Sequence, residues 1–318
     1  MIALQYLDFL VAGMAIAFLL LFWRRTGSLP RALFYSVSIL GGLAALTLLG
    51  FAVYRGDVAV ATLGFDQRPV TQEDGIQIVY SSPDDPYLER LRDVHDLDGL
   101  IAGTSTDLDR ILAVSTWVNA LWQHDGDNQP SSSDPLTIIA EAKQGNRFRC
   151  VEYAIVLDGA LKALGIPARR LGLKTADVET RTSGAGHVVV EAYSRDLQKW
   201  LLVDPQFNLI PMVDGVPLNA LELQRALASE KRVSYKSVSR RRPVAHLLLT
   251  RLIYPAFIGQ YLHFFDFPMD QSSQGPSQHL MLVPKGAAPP RVFQGRFPLD
   301  YMVYTHNQRL FYAAPQSD

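Results

Sequence analysis

The apolar residues of the chain gather at its beginning. Phe9 to Trp23 carries no charged residue, and extending back to Tyr6 admits only Asp8. Ala32 to Tyr54 is an uncharged run of 23 residues, enough to cross a hydrocarbon layer of roughly 30 Å at about 1.5 Å per residue. A short basic stretch, Arg24 to Arg31, separates the two. The pattern predicts a two-helix transmembrane hairpin over residues 6–23 and 32–54, in an integral membrane protein. A cleaved signal peptide would put positive charge before its apolar core, whereas here the arginines come after it. The positive-inside rule then places the Arg24, Arg25 and Arg31 loop in the cytoplasm. The chain beyond Tyr54 is expected on the periplasmic or extracellular side of a bacterial inner membrane.

From Arg55 onward short apolar runs alternate with Pro, Asp and Gln, as in a globular protein. Thr106 with Asp109 three residues on has the form of a helix start, and an apolar face continues through Leu121. Asp134-Pro135 suits an N-cap with proline at the first helical position, opening a helix through Ala142. Ala154, Leu157, Leu161 and Leu164 recur at helical spacing, so a third helix is predicted from about Cys150 to the stop at Gly165. Strands are predicted at Ala168–Lys174, His187–Ser194 and Lys199–Val203. In the second, His187, Val189, Glu191 and Tyr193 share one face; in the third, Trp200, Leu202 and Asp204 do. Helices followed by strands imply an α+β fold with an antiparallel sheet. The Val244–Phe265 stretch is apolar but interrupted by His246, Arg251, Gln260 and His263, and reads as core in preference to a membrane-facing surface. Later β-like runs at Leu280–Val283, Tyr301–Thr305 and Leu310–Ala313 suggest added strands. The expected organisation is a hairpin over residues 1–56, a globular domain over 57–240, and a C-terminal extension over 241–318 packed on it.

Composition narrows the function classes. With 48% hydrophobic residues and a formal net charge of -1, the 318-residue chain is neither a disordered polymer nor a nucleic-acid binder with a clustered basic patch. There is no dinucleotide loop, no phosphate-binding loop, no nucleophilic serine elbow and no His-Glu-x-x-His. No cofactor and no metal are implied.

Cys150 is the single cysteine, so it forms no internal disulfide and cannot alone make a zinc site. Placed in the first turn of a helix, with Arg147 and Arg149 nearby, it sits where the thiolate is favoured. A thiolate nucleophile needs a base, and the base needs a third group to orient it. His187 begins one predicted strand and Asp204 ends the next, so antiparallel pairing would set them side by side.

The blocks Cys150-Val-Glu-Tyr-Ala, Ala160-Leu-Lys-Ala-Leu-Gly-Ile-Pro-Ala-Arg169, Gly186-His187-Val-Val-Val-Glu191 and Lys199-Trp200-Leu-Leu-Val-Asp204-Pro205 resemble the transglutaminase-like superfamily of papain-like thiol enzymes. The resemblance implies a helix carrying the cysteine packed on an antiparallel sheet, with Cys150 as nucleophile, His187 as base and acid, and Asp204 as the orienting group. Phe148 stands where that family usually has a glycine, and Val189 where it has an aromatic residue, so the acyl-donor groove is expected to differ. Gln144, six residues before Cys150, has the offset of the oxyanion-hole glutamine of papain-like enzymes; the backbone N–H of Cys150 is the other candidate donor. The implied reaction is acyl transfer or amide hydrolysis through a thioester, on a protein or peptide amide. A membrane or cell-envelope partner fits the expected location. The competing reading is a non-catalytic anchored binding or assembly module on the same fold. Oligomeric state and the choice between hydrolysis and cross-linking are not legible in the sequence.

Overall fold

The computed structural model describes residues 41–42, 60–70, 75–82, 84–237, 244–272 and 277–315. In chain order the elements are α1 (Pro86–Val94), α2 (Leu97–Ile101), α3 (Asp107–Asn119), α4 (Pro135–Lys143), α5 (Cys150–Ala163), β1 (Ala168–Lys174), β2 (Gly186–Ser194), β3 (Lys199–Val203), β4 (Ile210–Val213), β5 (Val216–Pro217), α6 (Ala220–Ala228), β6 (Ser234–Lys236), α7 (Val244–Gly259), β7 (Phe264–Pro268), β8 (His279–Leu282), β9 (Val292–Phe293), β10 (Phe297–Pro298), β11 (Met302–Thr305) and α8 (Gln308–Phe311).

Contacts divide the chain into two units. One comprises Met1–Ala59 and Pro243–Leu249; its described residues, 41–42 and 244–249, are helical. The other, Val60–Arg242 with Thr250–Asp318, carries the sheets.

The membrane expectation does not hold. Among the described residues no helix is long and apolar enough to cross a membrane. The longest, α7, has 16 residues, or roughly 24 Å of rise, and contains Arg251 and Pro255. The transmembrane hairpin and the integral-membrane location are therefore withdrawn; apart from Gly41 and Gly42, residues 6–23 and 32–54 lie outside the described residues. An apolar run meets the compositional demand of a span, but a span also needs one unbroken helix of sufficient length, which a hydropathy count does not supply.

The central sheet has six strands in the order β11-β8-β7-β1-β2-β3. β1, β2 and β3 form an antiparallel meander with Leu173 opposite His187 and Val190 opposite Val203. Three strands after residue 241, β7, β8 and β11, continue the same sheet, with β7 pairing along the free edge of β1, while β9 and β10 form a separate hairpin. β11 joins β8 in parallel, unlike the all-antiparallel sheet expected, because the chain crosses through the β9-β10 hairpin before returning. Leu310–Ala313, expected as strand, instead begins within α8, which Asn307 caps by accepting from Arg309 N.

The helix starts obey their local chemistry. Thr106 Oγ1 accepts from Asp109 N at 3.1 Å to open α3, and Asp134 Oδ1 accepts from Thr137 N at 3.0 Å to open α4. The two faces of the sheet bury separate cores. Ala168, Val190, Ala192, Leu201 and Val203 pack against α1 and α3–α5. Leu171, Leu173, Val189 and Leu202 pack against residues of α6, the later part of α7 and α8.

α5 is enclosed on nearly every side, and at Gly159 side chains of α1 and α4 pack close against it. A Cβ there would stand 2.7 Å from Pro135 Cγ and 3.3 Å from Leu91 Cδ2. Overpacking of this kind costs about 1–3 kcal/mol, against a helix-propensity gain of about 1 kcal/mol for alanine. Gly159→Ala is thus expected to give a net loss of stability, read as a lower urea midpoint with an unchanged slope.

Candidate active site

Cys150 is the first residue of α5, so its own N–H and that of Val151 have no partner within the helix. Aromatic packing fixes this helix end. Phe148 and Tyr153 flank Trp122 at 5.6 and 4.4 Å between ring centres, and Tyr153 Oη donates to the Trp122 carbonyl at 2.9 Å. Arg149 does not lend its charge to the thiol, as the sequence suggested. Its guanidinium is bound to buried Glu152 at 2.6 Å, and its N–H donates to the same carboxylate at 3.0 Å.

The structure brings His187 and Asp204 together from adjacent strands. His187 Nε2 lies 2.8 Å from Asp204 Oδ2, with side-chain exposures of 2% and 0%. A carboxylate only accepts, so Nε2 is the donor, and Nδ1 is the nitrogen left for the Cys150 thiol, which also acts to raise this histidine. Burial works against the imidazolium, but the charge and hydrogen bond of Asp204, followed by Cys150, outweigh it and raise His187 to about 10. His187 therefore holds its proton through the neutral range. Local positive charge beside the thiol comes from this ring.

Asp204 is itself held by four hydrogen bonds. Besides His187, its Oδ2 accepts from Tyr254 Oη at 2.9 Å. Its Oδ1 accepts from the Gln206 and Phe207 N–H groups at 3.1 and 3.3 Å. The turn that supplies those amides is fastened to α3, since Asn119 Nδ2 donates to the Pro205 and Gln206 carbonyls at 2.9 and 2.8 Å. Asn208 closes the turn at φ 53°, a left-handed conformation that asparagine tolerates, and accepts from Ser115 Oγ at 2.9 Å.

Several members of the site were not read from the sequence. Phe207, Phe257 and Tyr261 ring the imidazole at 6.4, 5.2 and 5.9 Å. Tyr254, Phe257 and Tyr261 recur at helical spacing, a signal present in the chain, though nothing in it says which histidine they enclose. Burial pushes the Tyr254 hydroxyl well above its ordinary value, with Asp204 adding to the shift, so it remains a donor. His124 is also close enough to feel the triad; burial and then the charge of His187 hold it down at about 4. Gln144, by contrast, stands exposed at the end of α4 with its N–H on Glu141 O at 3.0 Å. It is not among the residues that line the Cys150 cavity.

That cavity, of about 460 Å³, is lined by Cys150, Val151, His187 and Val188. Arg170, Lys174, Asp266 and His279 also line it, together with Phe293, Phe297 and Tyr301. Among the described residues no group of three His, Cys, Asp or Glu side chains is placed to hold a metal ion.

Residues 97–205 match the family model of the transglutaminase-like superfamily. Over that stretch the chain is similar to the transglutaminase-like core. The matched stretch runs from α2 to the residue after Asp204, and so contains Cys150, His187 and Asp204 but not Tyr254 or the C-terminal half of the cavity. Similar solved structures include a provisionally assigned cysteine protease from Cytophaga hutchinsonii, at 16% identity and TM-score 0.31, covering 51% of this chain and 59% of that one. Red sea bream transglutaminase matches at 14% identity and TM-score 0.26, covering 41% of this chain and 30% of that one. The chain thus spans less than two thirds of the length of these relatives. Against curated proteins the sequence finds no significant match.

Proposed function

We propose that the protein catalyses thiol-dependent acyl transfer or hydrolysis at a protein or peptide amide, with Cys150 as nucleophile, His187 as acid and base, and Asp204 as its orienting group. The observation that carries this reading is the buried 2.8 Å contact of His187 Nε2 with Asp204, which leaves Nδ1 for a thiol at a helix N-terminus. The thiolate attacks the carbonyl carbon, forming a C–S bond, and the oxyanion is met by the N–H of Cys150. His187 gives its proton to the departing nitrogen as the C–N bond breaks. Water or an amine then attacks the thioester, His187 takes the proton of that nucleophile, and the thiolate is released.

The test is iodoacetamide alkylation of Cys150 measured between about pH 5 and 10, spanning the ordinary thiol range near 8.5. Because His187 is raised to about 10, the ion pair should persist across neutrality. Rapid alkylation is expected on the acid side of neutrality, where ordinary thiols are inert, and His187→Ala should abolish it. Slow alkylation indifferent to His187 would remove the catalytic reading.

A further inference from the structure

The cavity beside Cys150 continues past the triad over β1, β7 and β8, and its floor is ionic. Lys174 Nζ pairs with Asp266 Oδ1, and His279 Nδ1 lies 2.8 Å from Asp266 Oδ2. The carboxyl rests against Gly172, where an added Cβ would stand 2.6 Å from Oδ1. Both oxygens of Asp266 are thus engaged from within the protein. Asp266 is the only acidic residue among the described residues lining the cavity, which leaves little there to recognise a cationic ligand.

Arg170 is placed differently. The carboxylate beside it, Asp158, is 3.7 Å away, beyond hydrogen-bond length, and the same oxygen already accepts from Lys162 Nζ at 2.9 Å. Arg170 Nε is buried with no hydrogen-bond partner on the side that faces Asp158, in the hollow shared with Lys162. The residue also lines the Cys150 cavity, where a bound acceptor would satisfy guanidinium N–H groups. Two cations therefore line the cavity against one carboxylate, while burial, then Lys174 and Arg170, keep His279 neutral, down at about 3. With Asp266 paired to Lys174 and Asp158 beside Arg170, the positive surplus is small, which matches a monoanion better than a dianionic phosphate. Part of the lining is aromatic, with Phe297 and Tyr301 at 49% and 41% exposure. At about 460 Å³ the space is within the usual range for a small-molecule or side-chain site.

We propose that this cavity is the acyl-donor subsite and that it selects donors carrying a carboxylate, held by Arg170 and Lys174 while the aromatic wall covers the adjoining methylenes. The proposal rests on the reading of Cys150 as nucleophile. Burial holds Lys174 down at about 7, and an incoming carboxylate offsets that burial, so the anion restores the charge that binds it.

Three probes of nearly equal shape test the proposal on the full-length protein: N-chloroacetyl-glutamate α-amide, N-chloroacetyl-glutamine and N-chloroacetyl-glutamine α-amide. Each alkylates Cys150 with loss of chloride, and each rate is corrected by its rate with N-acetylcysteine. At least one acid is expected to exceed the neutral diamide by roughly tenfold, as a charge-assisted hydrogen bond would give. Whether the first or the second acid leads distinguishes a side-chain carboxylate from a chain-terminal one. Arg170→Gln should bring the acid-to-amide ratio towards one. Equilibrium binding of N-acetyl-glutamate α-amide and N-acetyl-glutamine α-amide to Cys150→Ala separates the two readings. A preference for the acid there, with no alkylation of wild type by any probe, would overturn the nucleophile and retain the subsite. Equal rates in wild type together with equal binding would overturn the subsite alone.

Discussion

Asp204→Asn is expected to lower p-nitrophenyl acetate turnover by roughly 10²- to 10⁴-fold, the usual worth of a positioned acid–base group, while leaving the fold in place. His187 is buried, and burial by itself favours the neutral ring; the charge of Asp204 is the leading influence that reverses this. An amide removes that charge. It also presents either an oxygen or an NH2 group to Nε2, and when the NH2 faces the ring Nε2 must accept. The ring proton then sits on Nδ1, the atom that must take the proton of the thiol. Tyr254→Phe removes only one of the four hydrogen bonds on Asp204, and its effect on turnover should be smaller than that of Asp204→Asn. The same pair predicts a pH dependence of stability. His187 is raised from 6.5 to about 10, so its contribution is fully present below about 6.5 and is lost as pH climbs through about 10. The stability gap between wild type and Asp204→Asn should therefore narrow across that window, as measured by urea unfolding at its two ends.

The meeting of His187 and Asp204 was legible because local chemistry and strand geometry point the same way. Asp134-Pro135 suits a helix start, Gly165 suits a helix stop, and a period of two places His187 and Asp204 on one face of neighbouring strands. Tyr254, Phe257 and Tyr261 were not legible as neighbours of His187, since they come from α7 and the turn after it, about 70 residues beyond His187, and helical spacing names a face without naming its partner. Lys174, Asp266 and His279 were hidden for a related reason. Their meeting depends on β7 and β8 joining the β1 edge, a non-local pairing that no short window of sequence encodes. Gln144 shows the reverse error: an offset taken alone fixed a distance along the chain, but the turn after α4 directs that residue to solvent. The apolar front of the chain misled in the same manner, since composition was read as architecture.

Arg169→Ala is expected to be the most destabilising single change outside the triad, by about 3–5 kcal/mol, the cost of stripping one partner from a buried ion pair. Arg169 closes one of the family-like sequence blocks, yet nothing in the sequence shows its task. Its guanidinium bonds Glu191 at 2.6 Å, with side-chain exposures of 1% and 0%. It lies over the rings of Trp200 and Phe267 at 4.3 and 4.1 Å, and donates to the Phe311 carbonyl at 2.8 Å. Glu191 in turn accepts from Ala220 N at 2.9 Å and Tyr312 Oη at 3.1 Å. One arginine therefore joins β1, β2 and β7 to the last described turns of the chain, where Trp200 Nε1 also donates to the Ala313 carbonyl at 3.0 Å. Alanine would leave Glu191 charged and buried, with only neutral donors around it, and would open a void among four aromatic rings. The penalty should come mostly from that unpaired charge, because a well-packed apolar replacement of a buried pair is often neutral. A double-mutant cycle with Arg169→Met and Glu191→Leu separates the two contributions. Each single variant should lose stability heavily in urea unfolding, and the double variant should recover a large part of the loss. If both singles instead sum to the double, the pair contributes by packing alone.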